Sequence, residues 1–378
     1  MTQTEHDDAA AFAAYQASFS EVPGYLNFAS YGPPSSRVHD RIEHLVRLAG
    51  EGAVGATERL EGENLRARES FSRLSGFPLD RVGMTGSTSL GLFQVAFGLP
   101  GGSVLVSAGE FPSNIYPWLR TGGIGRARVD LVGAPGTRMT PDVVARSLTS
   151  DTVAVSVSAV DFRTGYRADL AGIRDVIGPD RLLVVDGIQG FGVADLEWTL
   201  ADVLITGAQK WVRGTWGVAA LAFSPQGLER VEPVLTGWTG VTDSRRYDGV
   251  EHRPLPGAER FSVSNLSPYA TGAFAEALEL MESVGARAID GIVSTHAAAL
   301  IEELDAAGVP VLSPRDREQR AGIVVAGVSG RAADAHAALA AAGISATRHG
   351  EDRIRLSVHA TTRSEVFSEA AKVLADFA

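Results

Sequence analysis

The chain has 378 residues, 45% of them hydrophobic and 21% charged, and its 34 basic and 45 acidic residues leave a net charge of −11. This is typical of a globular protein with a large core, and the acidic balance disfavours a nucleic acid or an anionic membrane as partner. The absence of cysteine excludes disulfides and thiolate zinc sites, and the acidic N-terminus, with no apolar run near the ~20 residues of a membrane span, predicts a cytoplasmic protein.

The predicted elements begin with two helices and continue with strands and helices in alternation. A 3.6-residue apolar period predicts helices over 37–50 and 56–74. From about 80 to 225, short β-rich apolar runs alternate with helical patterns, which predicts a mostly parallel sheet covered on both faces. The predicted strands are 103–107, 128–132, 152–158, 181–186, 202–206 and 218–223, and the predicted helices between them are 90–97, 141–148 and 170–176.

The pattern changes after Pro254 and Pro256. Long helices are predicted there over 269–284, 292–306 and 332–342, with short strands over 322–328 and 352–358. We therefore predict two domains. The large sheet domain occupies residues 20–255, and a smaller α+β domain occupies residues 256–378, with residues 1–19 packing near it.

Two polar residues stand where neighbouring predicted strands end. Asp186 closes one apolar run, and Lys210 follows the next. Open α/β sheets bind their ligands at the carboxyl ends of strands. Pyridoxal phosphate (PLP) chemistry needs an amine that forms a Schiff base and a carboxylate that keeps the pyridine nitrogen protonated. Either residue alone is better explained as an ordinary strand end or a surface anchor, but together they predict a PLP site.

The surroundings of this pair resemble a known family. Gln189 comes three residues after Asp186, and Lys210 precedes a glycine-rich stretch over 211–217. This pattern resembles fold-type I PLP-dependent enzymes, and most closely the aminotransferase class V branch of cysteine desulfurases, kynureninase and isopenicillin N epimerase-like proteins. The resemblance implies an α/β fold with a seven-stranded, mostly parallel sheet domain and a smaller C-terminal α+β domain. It also implies PLP as cofactor and a homodimer whose sites are completed by both chains.

The predicted phosphate site lies between a strand and a helix, at Ser87 and Thr88. Free N–H groups at a helix N-terminus bind anions, although an ordinary N-cap explains the two residues equally well. The resemblance assigns them to the PLP phosphate, adds Gln209 as a phosphate contact, and makes Gln189 a donor to the ring O3′. Because glutamine does not titrate, Lys210 is the predicted general base.

Three further cofactor contacts are implied by the resemblance to kynureninase. Phe111, after the strand at 103–107, takes the place of the aromatic residue that stacks on the pyridine ring; ordinary core packing is the alternative. Trp238 and Asn265 lie in stretches similar to those that bring a Trp and an Asn across the dimer interface to the phosphate and the substrate. Val241 departs from that pattern, since kynureninase has His there.

A predicted substrate contact lies near the C-terminus. Arg355 belongs to an alternating stretch whose arginines are solvated by default, but the class V pattern R-x-S implies a bidentate clamp on the substrate α-carboxylate. Asp161 replaces the usual Asn or Ser in the turn after 152–158. Arg163, in the same turn, is either a substrate handle or a solvated loop residue. The histidines are scattered, and no metal site is predicted.

These residues favour a PLP-dependent lyase that acts on an amino acid. Lys210 would remove the Cα proton, Asp186 would stabilise the resulting charge, and a β substituent would be eliminated by C–S cleavage of a cysteine conjugate, giving pyruvate and ammonia. Because the chain has no thiol, the persulfide chemistry of cysteine desulfurases is excluded. The alternatives are a class V aminotransferase or amino-acid epimerase, and a non-catalytic protein with the PLP fold.

Overall fold

The computed structural model describes residues 3–378. In this part of the chain the helices are α1 (Gln3–Ala17), α2 (Ser36–Glu51), α3 (Ala56–Ser75), α4 (Thr88–Gly98), α5 (Tyr116–Gly122), α6 (Pro141–Ser147), α7 (Leu170–Ile177), α8 (Pro225–Arg230), α9 (Pro268–Glu282), α10 (Ala286–Ala306), α11 (Ala332–Ala341) and α12 (Glu365–Ala375). None of them is long and apolar enough to cross a membrane. Short 3₁₀ turns lie between several of these elements.

Seven strands form the main sheet. They are β1 (Val82–Thr85), β2 (Ser103–Ser107), β3 (Arg128–Val132), β4 (Thr152–Ser158), β5 (Leu182–Asp186), β6 (Val203–Gly207) and β7 (Ala219–Phe223), in the order β1-β7-β6-β5-β4-β2-β3. Strands β2 to β6 run parallel, whereas β7 is antiparallel to β6 and to β1. Every residue of β5, β6 and β7 is buried, because helices cover both faces of a parallel sheet. The predicted α/β fold with a mostly parallel seven-stranded sheet is confirmed.

The order of the sheet reverses between β2 and β4. From β2 the chain crosses outward to the edge strand β3, then returns to β4 and continues in the other direction through β5 and β6. Such a reversal leaves a crevice at the carboxyl ends of the two strands, where ligands of open α/β sheets bind. The loops after β2 and β4, which carry Phe111 and Asp161, border this crevice.

A second, antiparallel sheet lies in the C-terminal part. It contains β8 (Ile323–Gly327), β9 (Thr347–His349) and β10 (Arg353–Ser357) in the order β8-β10-β9. With α10, α11 and α12 it encloses a core of its own. Helix α9 packs instead on α2 and α3 beside the main sheet. The division at residue 255 stays a prediction, as does the packing of residues 1–19, of which residues 1 and 2 lie outside the described part.

Some helices differ from the sequence prediction. Helix α10 begins at Ala286 rather than at 292, directly after Gly285, whose φ of 80° ends the preceding turn. The structure adds helices α1, α5, α8 and α12 to those that the sequence pattern predicts. The buried residues of α12, such as Val366, Phe367 and Ala370, recur at helical spacing, so the pattern is present in the sequence.

A segment near the N-terminus connects the two sheets. We call residues 24–33 the N-terminal strap. Leu26 N donates to Ser345 O (3.1 Å) and Ser357 N donates to Leu26 O (2.8 Å), so the strap adds to the small sheet. Further along, Gly32 N donates to Gln209 O (2.9 Å), beside Lys210. The strap therefore places the small sheet next to the loop that follows β6.

Candidate active site

Lys210 lies in a tight loop directly after β6. Gly214 N donates to Ala208 O (2.9 Å) and Arg213 N donates to Lys210 O (3.0 Å), which closes the loop on itself. A Cβ on Gly32 would lie 1.9 Å from Lys210 O, so the strap approaches this closely only because residue 32 is glycine. The backbone of Lys210 is thus fixed from two sides.

The side chain of Arg213 anchors the same loop. Arg213 is 1% exposed and has a φ of 64°, a left-handed conformation that is rare for residues other than glycine. Its Nε donates to Pro33 O (2.7 Å), its Nη1 to Thr361 Oγ1 (2.7 Å), and its Nη2 to the carboxylate of Glu21. These contacts hold the loop to the strap and to segments near both ends of the chain.

Asp186 is buried and Lys210 is half-buried, at the carboxyl ends of the neighbouring strands β5 and β6. Asp186 is 1% exposed, and its Oδ1 accepts a hydrogen bond from Ile188 N (3.0 Å). Burial raises the pKa of Asp186 to about 6, opposed by the Ile188 hydrogen bond and by the charge of Lys210. Burial lowers the pKa of Lys210 to about 8, opposed by Asp186 and reinforced by the charge of Arg355. Each charge acts on the other's pKa because the two groups lie close together.

Buried threonine hydroxyls without partners in the described part of the chain lie near the start of α4. Thr85, Thr88 and Thr206 each bury an Oγ1 that has no hydrogen-bond partner among the described residues. A Cβ on Gly207 would lie 2.6 Å from Gln209 Oε1 and 2.9 Å from Thr88 Oγ1, so these two side chains approach the backbone here only because residue 207 is glycine. The free N–H groups at the N-terminus of α4 give this region the character of an anion site.

Two of the predicted cofactor contacts have protein partners. Ser87 is the N-cap of α4, and its Oγ accepts from Leu90 N (3.1 Å). Gln189 is buried; its Nε2 donates to Ala29 O (3.0 Å) and its Oε1 accepts from Trp211 Nε1 (2.7 Å). Gln189 therefore fastens the strap to the lysine loop. The assignment of both residues to the cofactor stays a prediction.

Phe111 lies beside Lys210. Its ring centroid is 5.5 Å from Lys210 Nζ, and its side chain is 40% exposed. The ring of Phe162 meets it edge-on with centroids 5.1 Å apart. An aromatic side chain this exposed is not a core residue. The geometry favours the predicted stacking role over core packing, and the stacking itself stays a prediction.

Arg355 projects from β10 into the same region. It is 4% exposed; its Nη1 donates to Phe162 O (3.1 Å) and its Nη2 to Ser30 Oγ (2.7 Å), while its Nε has no partner. None of the described side chains places a carboxylate within 4.0 Å of the guanidinium. Burial lowers the pKa of Arg355 to about 10, opposed by the charge of Asp161. A buried guanidinium without a counter-ion suits an anionic ligand.

Trp238 and Asn265 lie on the surface of the single chain. Trp238 is 50% exposed, in a short 3₁₀ turn at Trp238–Gly240. Asn265 is exposed, and its Nδ2 donates to Glu61 Oε1 (3.4 Å). Their predicted contacts with a cofactor in a partner chain stay predictions.

Glu110 is a site-lining residue that the sequence analysis did not single out. It follows β2, directly before Phe111, and is 8% exposed. Its Oε1 accepts from Ser158 N (2.8 Å) and its Oε2 bonds to Ser158 Oγ. Burial raises the pKa of Glu110 to about 7, opposed by the Ser158 hydrogen bonds, with the charges of Asp186 and Asp161 adding to the rise. The sequence does contain a signal for Glu110, because it is an acidic residue at the end of a predicted strand, where ligands of open α/β sheets bind.

These residues fit PLP. Thr88, Gln209 and the N-terminus of α4 would hold the phosphate, Asp186 the ring nitrogen, Phe111 the ring face and Lys210 the aldehyde carbon. An unpartnered buried hydroxyl costs about 1–3 kcal/mol. A phosphate oxygen bonded to Thr88 would remove that cost.

Comparison with known proteins identifies the family of the chain. The chain matches the family model Aminotransferase class-V over residues 51–364. It is 28% identical over 310 residues to a kynureninase from Deinococcus radiodurans, covering 75% of this chain and 72% of the relative. It is 28% identical over 280 residues to a probable cysteine desulfurase from Aeropyrum pernix, and this match covers 68% of this chain and 66% of the relative.

Solved structures share the fold. The cystine C–S lyase C-DES, in complex with its product cysteine persulfide, superposes with a TM-score of 0.85 at 22% identity, covering 94% of this chain and 98% of that one. A cysteine desulfurase from Thermococcus onnurineus NA1 superposes with a TM-score of 0.82 at 19% identity, covering 93% of this chain and 94% of that one. Since the family model spans most of the sequence, the chain belongs to the aminotransferase class V family and is a PLP-dependent enzyme of fold type I.

Proposed function

We propose that the protein is a lyase that removes the Cα proton of an amino acid and eliminates a β substituent by breaking the C–S bond of a cysteine conjugate. PLP, when bound, withdraws electrons from the Cα carbanion. The observation that carries the proposal is the position of Lys210, a largely buried amine between Asp186 and the Phe111 ring, in a chain that has no cysteine.

Lys210 is suited to act as the base. Its pKa of about 8 leaves a neutral fraction near neutral pH, and a base works best when its pKa lies near the working pH. The amine accepts the Cα proton, and the ammonium can return a proton to the products. Asp186, with a pKa of about 6, is ionised at the same pH and supplies the negative charge opposite the ring nitrogen.

Arg355 is suited to hold the substrate. Its guanidinium offers an unpartnered Nε, and its other donors reach only a carbonyl and hydroxyl oxygens. An α-carboxylate would supply the missing negative charge through charge-assisted hydrogen bonds. The amino acid would then be held at one end by Arg355, with its Cα next to Lys210.

The sulfur leaves without an enzyme thiol. When the Cβ–S bond breaks, the electron pair goes to sulfur, which departs as a thiolate and takes up a proton. The 2-aminoacrylate that remains hydrolyses to pyruvate and ammonia. The likeness to a protein named as a cystine C–S lyase supports this choice of bond.

The experiment is to incubate the PLP-loaded enzyme with S-alkyl cysteine conjugates and measure pyruvate, ammonia and thiol together. A lyase releases all three in equal amounts. An aminotransferase instead needs an added keto acid and forms a new amino acid, and an epimerase exchanges the Cα proton without releasing ammonia. Either of these results would replace the proposal.

We further propose a homodimer that acts in the cytoplasm. Several large apolar side chains are exposed on the single chain, among them Trp216 (63%), Trp238 (50%) and Val263 (45%). Exposed apolar surface of this kind is typical of a protein interface. Light scattering coupled to size-exclusion chromatography tests the dimer, and a stable, fully active monomer would overturn it.

A further inference from the structure

A second guanidinium without a carboxylate partner lies beside Arg355. Arg163 belongs to the turn after β4, and its buried Nε has no hydrogen-bond partner among the described residues. The guanidinium carbon is 5.3 Å from the centroid of the Phe162 ring. Among the described side chains, no carboxylate oxygen lies within 4.0 Å of a guanidinium nitrogen of Arg163. Arg163 is therefore available to a ligand.

Contacts between aromatic rings connect Arg163 to the reacting centre. Phe162, which Arg163 covers, meets Phe111 edge-on at 5.1 Å, and Phe111 is 5.5 Å from Lys210 Nζ. The carbonyl of Phe162 also accepts from Arg355 Nη1 (3.1 Å). Phe162 thus contacts the guanidiniums of Arg163 and Arg355. It also contacts the ring of Phe111, which lies next to the amine of Lys210.

His349 reports the joint positive charge of this region. Its ring packs on Phe162 with centroids 5.7 Å apart, and it pairs in register with Arg353 of β10. Its pKa is lowered to about 4 by burial and by the charges of Arg355, Arg163 and Arg353. His349 is therefore neutral at physiological pH and adds no charge of its own.

The nearby acid, Asp161, is occupied by its own turn. Its Oδ1 accepts hydrogen bonds from Arg163 N (3.0 Å), Thr164 N (2.6 Å) and Thr164 Oγ1 (2.7 Å). This is the arrangement of an Asp that stabilises a turn. Asp161 fixes the backbone at Arg163 and forms no ion pair with its side chain.

Asp161 is the nearby carboxylate, and its Oδ1 is taken up by its own turn, so among the described residues neither guanidinium has a directly bonded anion. The α-carboxylate of a substrate would pair with Arg355 and leave the charge of Arg163 without one. Such a charge in a partly buried site is unfavourable unless the ligand supplies an anion. We propose that Arg163 binds a second anionic group, carried by the side chain or leaving fragment of the substrate, so that the substrate is an amino acid with an acidic side chain. This inference rests on the proposed role of Arg355 as the clamp for the α-carboxylate.

The test measures binding of unreactive acids to the PLP-loaded enzyme by calorimetry. Succinate and glutarate carry two carboxylates, and butyrate carries one. The wild-type enzyme should bind a diacid more tightly than butyrate. Arg163→Gln should weaken diacid binding about 10- to 100-fold, the worth of a charge-assisted hydrogen bond, and leave butyrate binding unchanged. The turn survives, because Asp161 holds the backbone of residue 163.

Two control variants separate charge from structure. Arg348→Gln removes an exposed arginine from β9 and should change neither affinity. Arg163→Lys keeps the charge without the planar fork and should recover part of the diacid affinity. The proposal is overturned if the wild-type enzyme binds butyrate and the diacids with equal affinity. It is also overturned if Arg163→Gln weakens the binding of butyrate and of the diacids by the same factor.

A kinetic comparison distinguishes this inference from the proposed reaction. If conjugates are cleaved, those with a carboxylate on the thiol fragment should be preferred over neutral ones, and Arg163→Gln should remove the preference through KM while kcat changes little. If no conjugate is cleaved, the lyase proposal fails, and the binding of diacids still decides the role of Arg163.

Discussion

The guanidinium of Arg213 and the carboxylate of Glu21 form a buried ion pair, with Nη2 and Oε2 2.6 Å apart and side chains 2% and 8% exposed. Thr361 contacts both partners, accepting from Arg213 Nη1 and donating to Glu21 Oε1. Arg213 holds its left-handed backbone conformation three residues after Lys210. The pair therefore stabilises the loop on which the proposed base is carried.

Glu21→Gln should strongly destabilise the protein. The substitution leaves Arg213 buried without a counter-ion, which typically costs about 3–5 kcal/mol. The matched control is Asp305→Asn, which breaks an exposed pair with Arg315 and should cost no more than about 1 kcal/mol. Urea unfolding followed by tryptophan fluorescence gives both values. Equal losses in the two variants would contradict the role of the Arg213–Glu21 pair.

Lys210→Ala should abolish the lysine-bound form of the cofactor. The visible absorbance band of that form should disappear, while PLP is still retained through Asp186, Thr88 and Phe111. The rate should fall by at least the ~10²–10⁴-fold that general acid–base catalysis contributes. Absorbance spectra and steady-state rates are the measurements. Turnover near the wild-type rate would remove Lys210 from the mechanism.

Gly207→Ala should weaken the binding of PLP. The added Cβ would lie 2.6 Å from Gln209 Oε1 and 2.9 Å from Thr88 Oγ1, so it would displace the two side chains assigned to the phosphate. The control is Gly50→Ala in α2, where a Cβ meets no atom within 4 Å. Titration of the cofactor-free variants with PLP should give a larger dissociation constant for Gly207→Ala alone. Unchanged affinity would place the phosphate elsewhere.

Glu110→Gln should change the pH dependence of stability. The pKa of Glu110 rises from 4.5 to about 7 on folding, so its contribution to stability is fully present below pH 4.5 and is lost as the pH rises through about 7. The difference corresponds to about 3 kcal/mol. Glutamine can keep both bonds to Ser158 without ionising, so the stability of the variant relative to the wild type should rise between about pH 4.5 and pH 7 and stay constant above that range.

Urea unfolding across this pH range measures the effect. Glu351→Gln, at an exposed position, is the control and should run parallel to the wild type. A constant difference between Glu110→Gln and the wild type would mean that the Glu110 carboxyl does not change its charge within the range.

Lys210→Ala and Asn265→Ala should complement each other if Asn265 reaches the site of a partner chain. Each variant alone should be poorly active. Mixing equal amounts after subunit exchange gives mixed dimers with one intact site, and about a quarter of the wild-type activity should return. A mixture no more active than its components would place Asn265 in the site of its own chain, or outside any site.

Sequence reasoning predicts the parts of this molecule that depend on local pattern. Asp186 and Lys210 are visible because each follows an apolar run, and the sheet follows from the alternation of such runs. The role of Arg213 is not visible, because its partner Glu21 is 192 positions away in sequence. The contact of Gln189, whose Oε1 accepts from Trp211 Nε1, is not predictable from the sequence pattern either. Such pairings depend on tertiary packing, which local periodicity does not encode.

The N-terminal strap limits how the enzyme can open. Its backbone is hydrogen-bonded to Ser357 of β10 at one end and to Gln209 at the other. The small sheet, which carries Arg355, cannot swing away from Lys210 as a rigid body without breaking these bonds. We therefore expect the separation between the substrate clamp and the base to stay constant during turnover. Substrate entry and product release would then depend on movements of short loops and of exposed rings such as Phe111 rather than on a hinge between the two sheets.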